Sequence, residues 1–543
     1  TLVDPLKPEL RSRLAELPGG GWGNFRFSHD DATIAAQQYR TPNDSDVFLI
    51  DASTGAREKI LPRPGASAAG YSGFEWSLDN QRLFLVTNQG GEFGELAVYD
   101  RRDKSLSVLS RHIPWDIENF SLSADGKQLM AVVNNNGRDE VRLFDAASGK
   151  ELPRPDIPAG SIGGGRWHEL RQEQLAFSLN SPQSPGDVYS LDASTGKTER
   201  WTVAASPSGV RPDTFVSPEL VQIRSFDGLA VSGWLFLPDA AKFPGKRPVL
   251  VGFHGGPEGQ STVRFMGRYN YFLNEMGIAV LLPNVRGSTG YGKTYLDLDN
   301  GFKRKDSVKD GGAFLSWVAS HPRLDARRIA VTGGSYGGYM ALATAVDYSA
   351  LIRGAIDVVG ISHFVTFLNN TESYRRDLRR VEYGDERDEA MRSFLERISP
   401  TSHAARRKES LEYPLATSVR INASMCSPNG PSCIRTCAHR RTNSSSMPIS
   451  FRGDVPRQGE TYAEQALVVA RRGVPRVLPP GMALPTSPTV AIDVHGVEVD
   501  DHVGHRRKFW RLRDEVLAFV AAEAQDLALH RHEHALVFWI EWP

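Results

Sequence analysis

The chain has 543 residues, with 64 basic and 64 acidic side chains and a pI near 7.2. This length exceeds what one hydrophobic core usually supports, so at least two domains are expected. The balanced charge argues against a nucleic-acid partner. The sequence contains no apolar run of the roughly 18 residues that a membrane span requires, which argues against a membrane partner.

The sequence offers no pattern typical of a metal site, a cofactor site or a disulfide-built fold. The spacing of Cys426, Cys433 and Cys437 does not match a zinc site. The histidines at 530–534 are more typical of a solvated helix end or tail. The chain begins at Thr1 without the basic and apolar segments of a secretion signal. We expect a cytoplasmic protein, or a periplasmic one if a signal has been removed.

A unit of about 45–49 residues recurs four times in the first part of the chain, within the period expected of propeller blades. Each unit opens with an aromatic or apolar residue followed by polar residues, at Phe27, Trp76, Leu122 and Trp167. Three units end a strand in Asp and a turn such as Asp-Ala-Ser-Thr-Gly, at 51–55, 145–149 and 192–196. In such a turn glycine supplies the positive φ and aspartate binds the backbone.

The repeat predicts an antiparallel β-propeller at residues 1–209, with about four blades visible. A β-sandwich with similar turns is the alternative, but sandwiches lack so regular a long period. Four blades are at the lower end for a propeller, and residues 1–20 resemble the end of an earlier unit. We therefore expect the propeller to be incomplete on its amino-terminal side.

A linker at 210–219 is followed by a different pattern, in which strands come to alternate with helices. The predicted strands are Leu220–Ser225, Leu229–Leu237, Arg247–Phe253, Ile278–Leu282 and Gly354–Val359, and the predicted helices are Arg264–Met276, Asp306–Ser320 and Tyr336–Val346. Alternating strands and helices predict a mainly parallel, doubly wound sheet covered on both faces. We assign residues 220–543 to this α/β-hydrolase domain.

The run Gly333-Gly-Ser-Tyr-Gly337 is the most informative motif in the chain. The β-branched run Arg328–Thr332 precedes it, and a segment of helical composition follows it. A Gly-x-Ser-x-Gly between a strand and a helix is typical of a nucleophile elbow, in which the serine hydroxyl stands above the sheet. Ser335 is therefore the candidate nucleophile.

The run His254-Gly-Gly-Pro257 ends the predicted strand Val249–Phe253. Its glycines allow a backbone N–H to point into an active site, as HGG-type oxyanion loops do. We expect the oxyanion hole to consist of the N–H of Gly256 and the N–H of Tyr336, the residue after the nucleophile. A plain turn at the end of a strand is the alternative.

Three motifs behind the repeats, His254–Pro257, Asn284–Gly292 and Gly333–Met340, resemble those of the prolyl oligopeptidase family of serine peptidases. The likeness is greatest to its acylaminoacyl-peptidase and dipeptidyl-aminopeptidase-like bacterial members, and it covers roughly residues 20–403. It implies a seven- or eight-bladed propeller that caps the active site and admits only short peptides. It also implies that Ser335 forms an acyl-enzyme. For Arg286 and Tyr291 of the second motif we expect no more than a structural role, bracing the loop above the site.

The sequence departs from the family pattern after His403. Residues 404–480 contain 12 basic and 5 acidic side chains and show little periodicity, and 404–453 is the most anomalous part. We expect this part to be disordered, and a reading-frame error or a drifted terminus would explain it.

The catalytic acid and base are expected beyond this stretch, because in this fold they follow the serine in the order acid, then histidine. Asp454 ends a predicted strand and is the candidate acid, although a turn residue is an equal alternative. His505 follows a glycine at the start of the last predicted helix and is the candidate base. His502 is the alternative base, and His495 lies inside a predicted strand.

Three functions remain open at this point. The first is a serine peptidase that hydrolyses short peptides. The second is an esterase, because the same catalytic groups cleave esters. The third is a catalytically inactive propeller–hydrolase relic that acts as a binding module.

Overall fold

The structure is a computed structural model that describes residues 2–4, 7–12, 14–207, 209–403, 419–422 and 537–539. The first compact unit, Thr1–Val419, contains both a set of small antiparallel sheets and a larger mixed sheet. No helix of the described ranges is long and apolar enough to cross a membrane.

The amino-terminal part begins with a hairpin of β1 (Leu2–Asp4) and β2 (Lys7–Ser12) and continues as four antiparallel sheets. The first sheet contains β3 (Trp22–Phe27), β4 (Thr33–Thr41), β5 (Asp44–Asp51) and β6 (Arg57–Leu61). The second contains β7 (Tyr71–Trp76), β8 (Arg82–Thr87), β9 (Glu95–Asp100) and β10 (Ser105–Val108). The third contains β11 (Ile117–Leu122), β12 (Gln128–Asn135) and β13 (Arg138–Asp145), and the fourth contains β14 (Ser161–Trp167), β15 (Gln174–Ser181), β16 (Ser184–Asp192) and β17 (Thr198–Arg200).

These sheets confirm the predicted partial propeller, with four blades among the described residues. In the third blade a single bridge from Phe144 to Glu151 takes the place of a fourth strand. The turn after β5 forms as the sequence predicts. The carboxylate of Asp51 accepts hydrogen bonds from the N–H groups of Ser53 and Thr54, at 3.0 and 2.7 Å. The hydroxyl of Ser53 and the N–H of Thr54 hold the pKa of Asp51 well below its usual range.

Two repeat tryptophans link neighbouring blades. The indole N–H of Trp76 donates to the carbonyl of Arg26 in the preceding blade, at 3.1 Å, and the indole N–H of Trp167 donates to the carbonyl of Ser121, at 3.2 Å. Trp76 is only 1% exposed and packs in an apolar cluster drawn from the first two blades. The aromatic residue at the start of a repeat unit therefore fills the space between two blades.

The second part of the chain is built on a sheet with the strand order β18-β19-β21-β20-β22-β23. These strands are β18 (Glu219–Arg224), β19 (Ala230–Phe236), β20 (Arg247–Phe253), β21 (Ala279–Asn284), β22 (Leu324–Gly334) and β23 (Gly354–Val358). The pairs β20–β21, β20–β22 and β22–β23 are parallel, whereas β19 is antiparallel to both of its neighbours. The predicted mainly parallel α/β sheet is confirmed.

Seven α-helices accompany this sheet in the described residues: α1 (Tyr269–Tyr271), α2 (Lys293–Leu296), α3 (Arg304–Ser320), α4 (Tyr336–Asp347), α5 (Phe364–Asn370), α6 (Ser373–Tyr383) and α7 (Glu389–Ile398). A π-helical turn, Phe272–Met276, continues α1, and short 3-10 helices lie at Pro212–Thr214, Asp297–Asp299, Gly301–Lys303 and Ser349–Leu351. Alternate residues of β19 join different apolar clusters, Val231 and Leu235 on one face and Trp234 and Phe236 on the other. Apolar groups therefore cover both faces of the sheet.

The predicted helix Arg264–Met276 is wrong at its start, because helical structure begins only at Tyr269. The preceding residues bond to the propeller instead. The N–H of Val263 donates to the carbonyl of Gly137 at 2.7 Å, and the N–H of Phe265 donates to the side chain of Asn180 at 2.6 Å. Tertiary hydrogen bonds have replaced the first helical turns.

One short antiparallel strand pair, β24 (Val419–Asn422) and β25 (Val537–Trp539), is also described. The division of the chain into a propeller domain at 1–209, a linker at 210–219 and a hydrolase domain at 220–543 stays a prediction of the sequence.

Each blade contacts the α/β part at the turn between its second and third strands or at the adjoining end of the second strand. The side chain of Asn43 donates to Asp297, the carbonyl of Glu92 accepts from the N–H of Lys293, and the side chain of Asn180 accepts as described above. In the third blade, the side chain of Asn134 donates to Gln260 at 2.6 Å. One end of the described propeller therefore lies against loops of the α/β sheet.

We predict that Trp76→Ala lowers the free energy of unfolding by about 3–5 kcal/mol, because it leaves a cavity between two blades. Trp76→Phe keeps most of the apolar volume and loses the bond to the carbonyl of Arg26, so a smaller loss of about 1–3 kcal/mol is expected. Urea unfolding followed by circular dichroism measures both. Equal stability of the Ala variant and the natural chain would contradict the packing role of Trp76.

Candidate active site

Ser335 lies in a sharp turn between the end of β22 and the start of α4. Its backbone has φ 56° and ψ −119°, a conformation that non-glycine residues rarely adopt. The N–H of Ser335 donates to the carbonyl of Val358 in the neighbouring strand β23, at 2.9 Å. The residue is exposed while its neighbour Tyr336 is buried. The turn thus presents the serine hydroxyl to solvent at the carboxyl edge of the sheet.

The glycines around Ser335 are required by close backbone contacts. A methyl group at Gly333 would lie 2.2 Å from the carbonyl oxygen of Gly337, and one at Gly337 would lie 2.2 Å from the carbonyl oxygen of Phe253. At Gly334 the nearest atom to such a methyl group would be 3.7 Å away. The first and third glycines of the motif therefore allow α4 to start directly against the end of β20, whereas Gly334 is not needed for space.

The His254-Gly-Gly-Pro257 loop lies beside the serine. A methyl group at Gly255 would be 3.6 Å from Cβ of Ser335. Gly256 has φ 132°, and its carbonyl accepts a hydrogen bond from the hydroxyl of Tyr383 at 3.1 Å. The glycines thus let the loop approach the serine closely.

Tyr336 is the first residue of α4. Backbone N–H groups in the first turn of a helix have no partner within the helix, and the helix dipole makes this end favourable for negative charge. The N–H of Tyr336 is thereby suited to an anion that develops next to Ser335.

His254 contacts the neighbouring loop rather than the serine. Its Nε2 lies 2.8 Å from the hydroxyl oxygen of Ser288, and burial lowers its pKa. Such a group is held neutral and ties the glycine loop to the segment after β21.

That segment contains the two residues that the sequence analysis assigned to bracing. The guanidinium of Arg286 is buried and donates to Asp310 and to Asp227, at 2.9–3.0 Å. The hydroxyl of Tyr291 accepts from the side chain of Asn284 at 2.9 Å. Both side chains hold the loop to the body of the protein.

A buried cluster of charged side chains below Tyr336 was not predicted from the sequence. Arg304 is fully buried and donates to the carboxylates of Asp299 and Glu382. The hydroxyl of Tyr336 donates to Asp299 at 3.1 Å and lies 2.8 Å from the hydroxyl of Ser307. Nothing in the spacing of these residues along the chain indicates that they meet, because 78 positions separate Arg304 from Glu382.

A cavity of about 450 Å³ lies beside the glycine loop and was also not predicted from the sequence. It is lined by residues of the first blade, of the loop after Pro257, of the loop after α2 and of α6. The repeated arginines of the sequence YRRDLRR in α6 could have indicated a charged site. The side of the helix on which each arginine lies could not be assigned without the bounds of the helix.

The predicted acid Asp454, the predicted base His505 and the alternative base His502 lie outside the described residues. The structure therefore brings together Ser335, Tyr336 and the Gly255–Gly256 loop.

Comparisons with known proteins agree with this architecture. Residues 22–204 match the N-terminal β-propeller domain of prolyl oligopeptidase, and residues 264–417 match the prolyl oligopeptidase family. Together these ranges cover more than half of the chain. The chain belongs to the prolyl oligopeptidase family, whose catalytic part has the α/β-hydrolase fold.

Dipeptidyl aminopeptidase BIII of Pseudoxanthomonas mexicana is 26% identical over 395 residues, which are 70% of this chain and 56% of that protein. The human acylamino-acid-releasing enzyme is 26% identical over 303 residues, which are 51% of this chain and 40% of that enzyme. A puromycin-hydrolyzing peptidase of Mycobacterium tuberculosis has a similar fold, with a TM-score of 0.61 at 20% identity over 72% of this chain and 60% of that chain. The chain spans about half the length of the curated relatives it matches.

We predict that Gly337→Ala destabilises the protein by at least about 1–3 kcal/mol, because its methyl group would overlap the carbonyl of Phe253. Gly334→Ala is the matched control and is expected to change stability by less than about 0.5 kcal/mol. Thermal unfolding of both variants measures the difference. Equal effects of the two substitutions would contradict the close contact of α4 with β20.

Proposed function

We propose that the protein is a serine peptidase that hydrolyses short peptides through an acyl-enzyme, with Ser335 as the nucleophile. The observation that carries this proposal is the exposed Ser335 at φ 56° and ψ −119°, next to the Gly255–Gly256 loop. The names of the similar dipeptidyl aminopeptidase and acylamino-acid-releasing enzyme support peptide substrates.

The proposed reaction has two stages. The hydroxyl oxygen of Ser335 attacks the peptide carbonyl carbon while a histidine accepts the hydroxyl proton. The N–H groups of Gly256 and Tyr336 stabilise the oxyanion of the tetrahedral intermediate. The histidine then donates the proton to the leaving amine, the C–N bond breaks, and an ester to Ser335 remains. Water hydrolyses this ester by the same steps and releases the acid.

We assign the roles of base and orienting acid to His505 and Asp454, with His502 as the alternative base. The carboxylate accepts the second ring N–H of the histidine and stabilises the imidazolium that forms. No cofactor enters this chemistry, because serine, histidine, carboxylate and water supply every proton and bond.

We also propose that the propeller limits access to Ser335. Each described blade contacts loops of the α/β part at or beside the turn between its second and third strands, which supports this role. Folded proteins would be excluded and short peptides admitted. We also propose that residues 210–219 link the two domains. The last strand of the propeller, β17, ends at Arg200, and the first strand of the α/β sheet, β18, starts at Glu219, which supports this boundary.

A fluorophosphonate probe tests the nucleophile. We expect the full chain to be labelled and Ser335→Ala to lose all labelling, because the probe forms a bond only with an activated serine. Ser320→Ala, which changes an exposed serine on α3, is the control and should label like the natural chain. Absence of labelling in folded protein would contradict the proposal and favour the inactive relic.

Peptide p-nitroanilides and short acyl esters then test the substrate class. Cleavage of both is expected, because an acyl-enzyme forms from either. Turnover of esters without amide cleavage would identify an esterase instead.

Replacement of the two histidines tests the base. We expect His505→Ala to lower kcat by at least about a thousandfold, because the serine hydroxyl then has no proton acceptor. His502→Ala should retain most of the activity. The reverse result would move the role of base to His502, and full activity of both variants would show that neither residue is the base.

A further inference from the structure

The cavity beside the glycine loop is built by both parts of the protein. The segment 39–44, which includes the turn between β4 and β5 of the first blade, forms one wall, and α6 forms another. Glu258, which follows Pro257 of the glycine loop, and the loop residues Asp297 and Asn300 complete the lining.

One face of α6 lines the cavity. Arg375, Leu378, Arg379 and Glu382 contribute to the lining, and their spacing of three, four and seven residues places them on one side of the helix. Neighbours at i and i+4 on a helix surface have Cβ atoms about 5–6 Å apart. The guanidinium groups of Arg375 and Arg379 can therefore bind one ligand group together.

The arginines of α6 differ in their partners. Arg376 donates to the carbonyl of Thr371, and Arg380 pairs with Asp377 and Glu386. Arg375 and Arg379, the two that line the cavity, form no side-chain hydrogen bond or ion pair within the part of the chain that the structure describes. Their positive charge is available to a ligand.

The acidic residues of the cavity have hydrogen-bond partners other than Arg375 and Arg379, or a pKa that burial raises. The carboxylate of Glu382 accepts from Arg304, and that of Asp44 accepts from Arg40. Burial and then the nearby carboxylate of Glu382 raise the pKa of Glu258. Asp297 accepts from the side-chain amide of Asn43 at 3.0 Å. The charge of Arg379 lowers the pKa of Glu258, but no hydrogen bond joins the two side chains within the described residues. The N–H groups of Arg375 and Arg379 thus remain available to a ligand.

The cavity adjoins the candidate catalytic groups. Gly256 and Glu258 are two residues apart, and the hydroxyl of Tyr383, the neighbour of Glu382, donates to the carbonyl of Gly256. Arg304 contacts both Glu382 and the hydroxyl of Tyr336, the latter at 3.3 Å. The cavity therefore borders the loop that lies beside Ser335.

We propose that this cavity is a substrate subsite for a carboxylate, which the guanidinium groups of Arg375 and Arg379 bind. The proposal rests on the proposed peptidase function and adds the class of peptide that the protein prefers. Arginine and carboxylate form strong, charge-assisted hydrogen bonds with matching planar geometry. The carboxylate is supplied by an acidic side chain of the peptide or by its free carboxyl terminus.

Binding to the full chain carrying Ser335→Ala tests the subsite without turnover. Two pairs of fluorescent-labelled pentapeptides distinguish the sources of the carboxylate. In the first kind of pair, both peptides have an amidated carboxyl terminus, and one has Glu where the other has Gln; each internal position is compared in turn. In the second kind, the peptides have the same sequence, and the carboxyl terminus is free in one and amidated in the other. We expect the carboxylate member of at least one pair to bind about tenfold more tightly in fluorescence anisotropy, as one charge-assisted contact allows.

Adding Arg375→Ala and Arg379→Ala should abolish this advantage and leave the binding of the neutral peptide unchanged. Arg392→Ala, which removes an exposed arginine on α7 away from the cavity lining, is the matched control and should keep the advantage. Arg379→Glu should reverse the preference toward a peptide with Lys at the same position.

Equal binding of the two members of both pairs, no binding of any peptide, or an advantage that persists in the double arginine variant would overturn the subsite. Fluorophosphonate labelling of the chain with both arginines replaced separates this result from the peptidase function. If the double arginine variant is labelled and lacks the carboxylate preference of the natural chain, the subsite has been removed and the peptidase site is intact. If the natural chain is labelled but shows no carboxylate preference, the peptidase proposal stands and the subsite proposal fails. Absence of labelling in the natural chain contradicts the peptidase, and the binding comparison still decides the subsite.

Discussion

The contact between the end of β20 and the first turn of α4 is the constraint on which the functional part of the fold depends. Gly337 has no side chain, so the helix starts directly against the carbonyl of Phe253. This contact forces the chain at Ser335 into a conformation with positive φ and exposes the residue at the sheet edge. It also sets the His254–Pro257 loop, which continues from β20, beside the serine. The strain is local and is borne by a buried strand and a buried helix, which hold the turn in place.

A group of buried charged side chains supports Tyr336 from beneath the candidate site. Arg304 is fully buried between the carboxylates of Asp299 and Glu382, and its guanidinium lies 5.2 Å from the ring centre of Tyr336. A buried cation is tolerated only when its hydrogen bonds and its charge are matched, so this cluster admits few arrangements. It fixes the ring of Tyr336 from below and at the same time orients Glu382 on the wall of the cavity. The proposed oxyanion residue Tyr336 and the proposed carboxylate subsite thus share one support.

The propeller has two kinds of contact, one between its blades and one with the α/β part. Within the blades, the tryptophans of the repeat bury large apolar surfaces between neighbouring sheets. Toward the α/β part, the turns and the strand ends beside them contribute polar contacts such as those of Asn43 and Asn134. Apolar packing therefore stabilises the interior of the propeller. Hydrogen bonds from turns and strand ends connect the propeller to the α/β part. Such an arrangement agrees with a propeller that controls access.

Several parts of the fold could be predicted from sequence because they depend on local patterns. The propeller follows from the repeat, since the position of Trp76 and the turn at Asp51 recur every 45–49 residues along the chain. The position of Ser335 follows from the Gly-x-Ser-x-Gly motif between a predicted strand and a predicted helix. The start of the helix predicted at Arg264 failed for the opposite reason, because Val263 and Phe265 bond to blades that are distant in sequence. Asp454 and His505 stay predictions of the sequence.

The sequence by itself determined the order of the elements, the class of the fold and the serine turn, because each of these depends on neighbouring residues along the chain. Only the tertiary structure decided which arginines of α6 are free. Arg376 and Arg380 find partners on or next to their own helix, whereas Arg375 and Arg379 face a cavity whose other walls come from the first blade and the glycine loop. The tertiary structure also joined Arg304 to Glu382. Charge pairing at such distances along the chain depends on how the whole fold closes, and no local pattern encodes it.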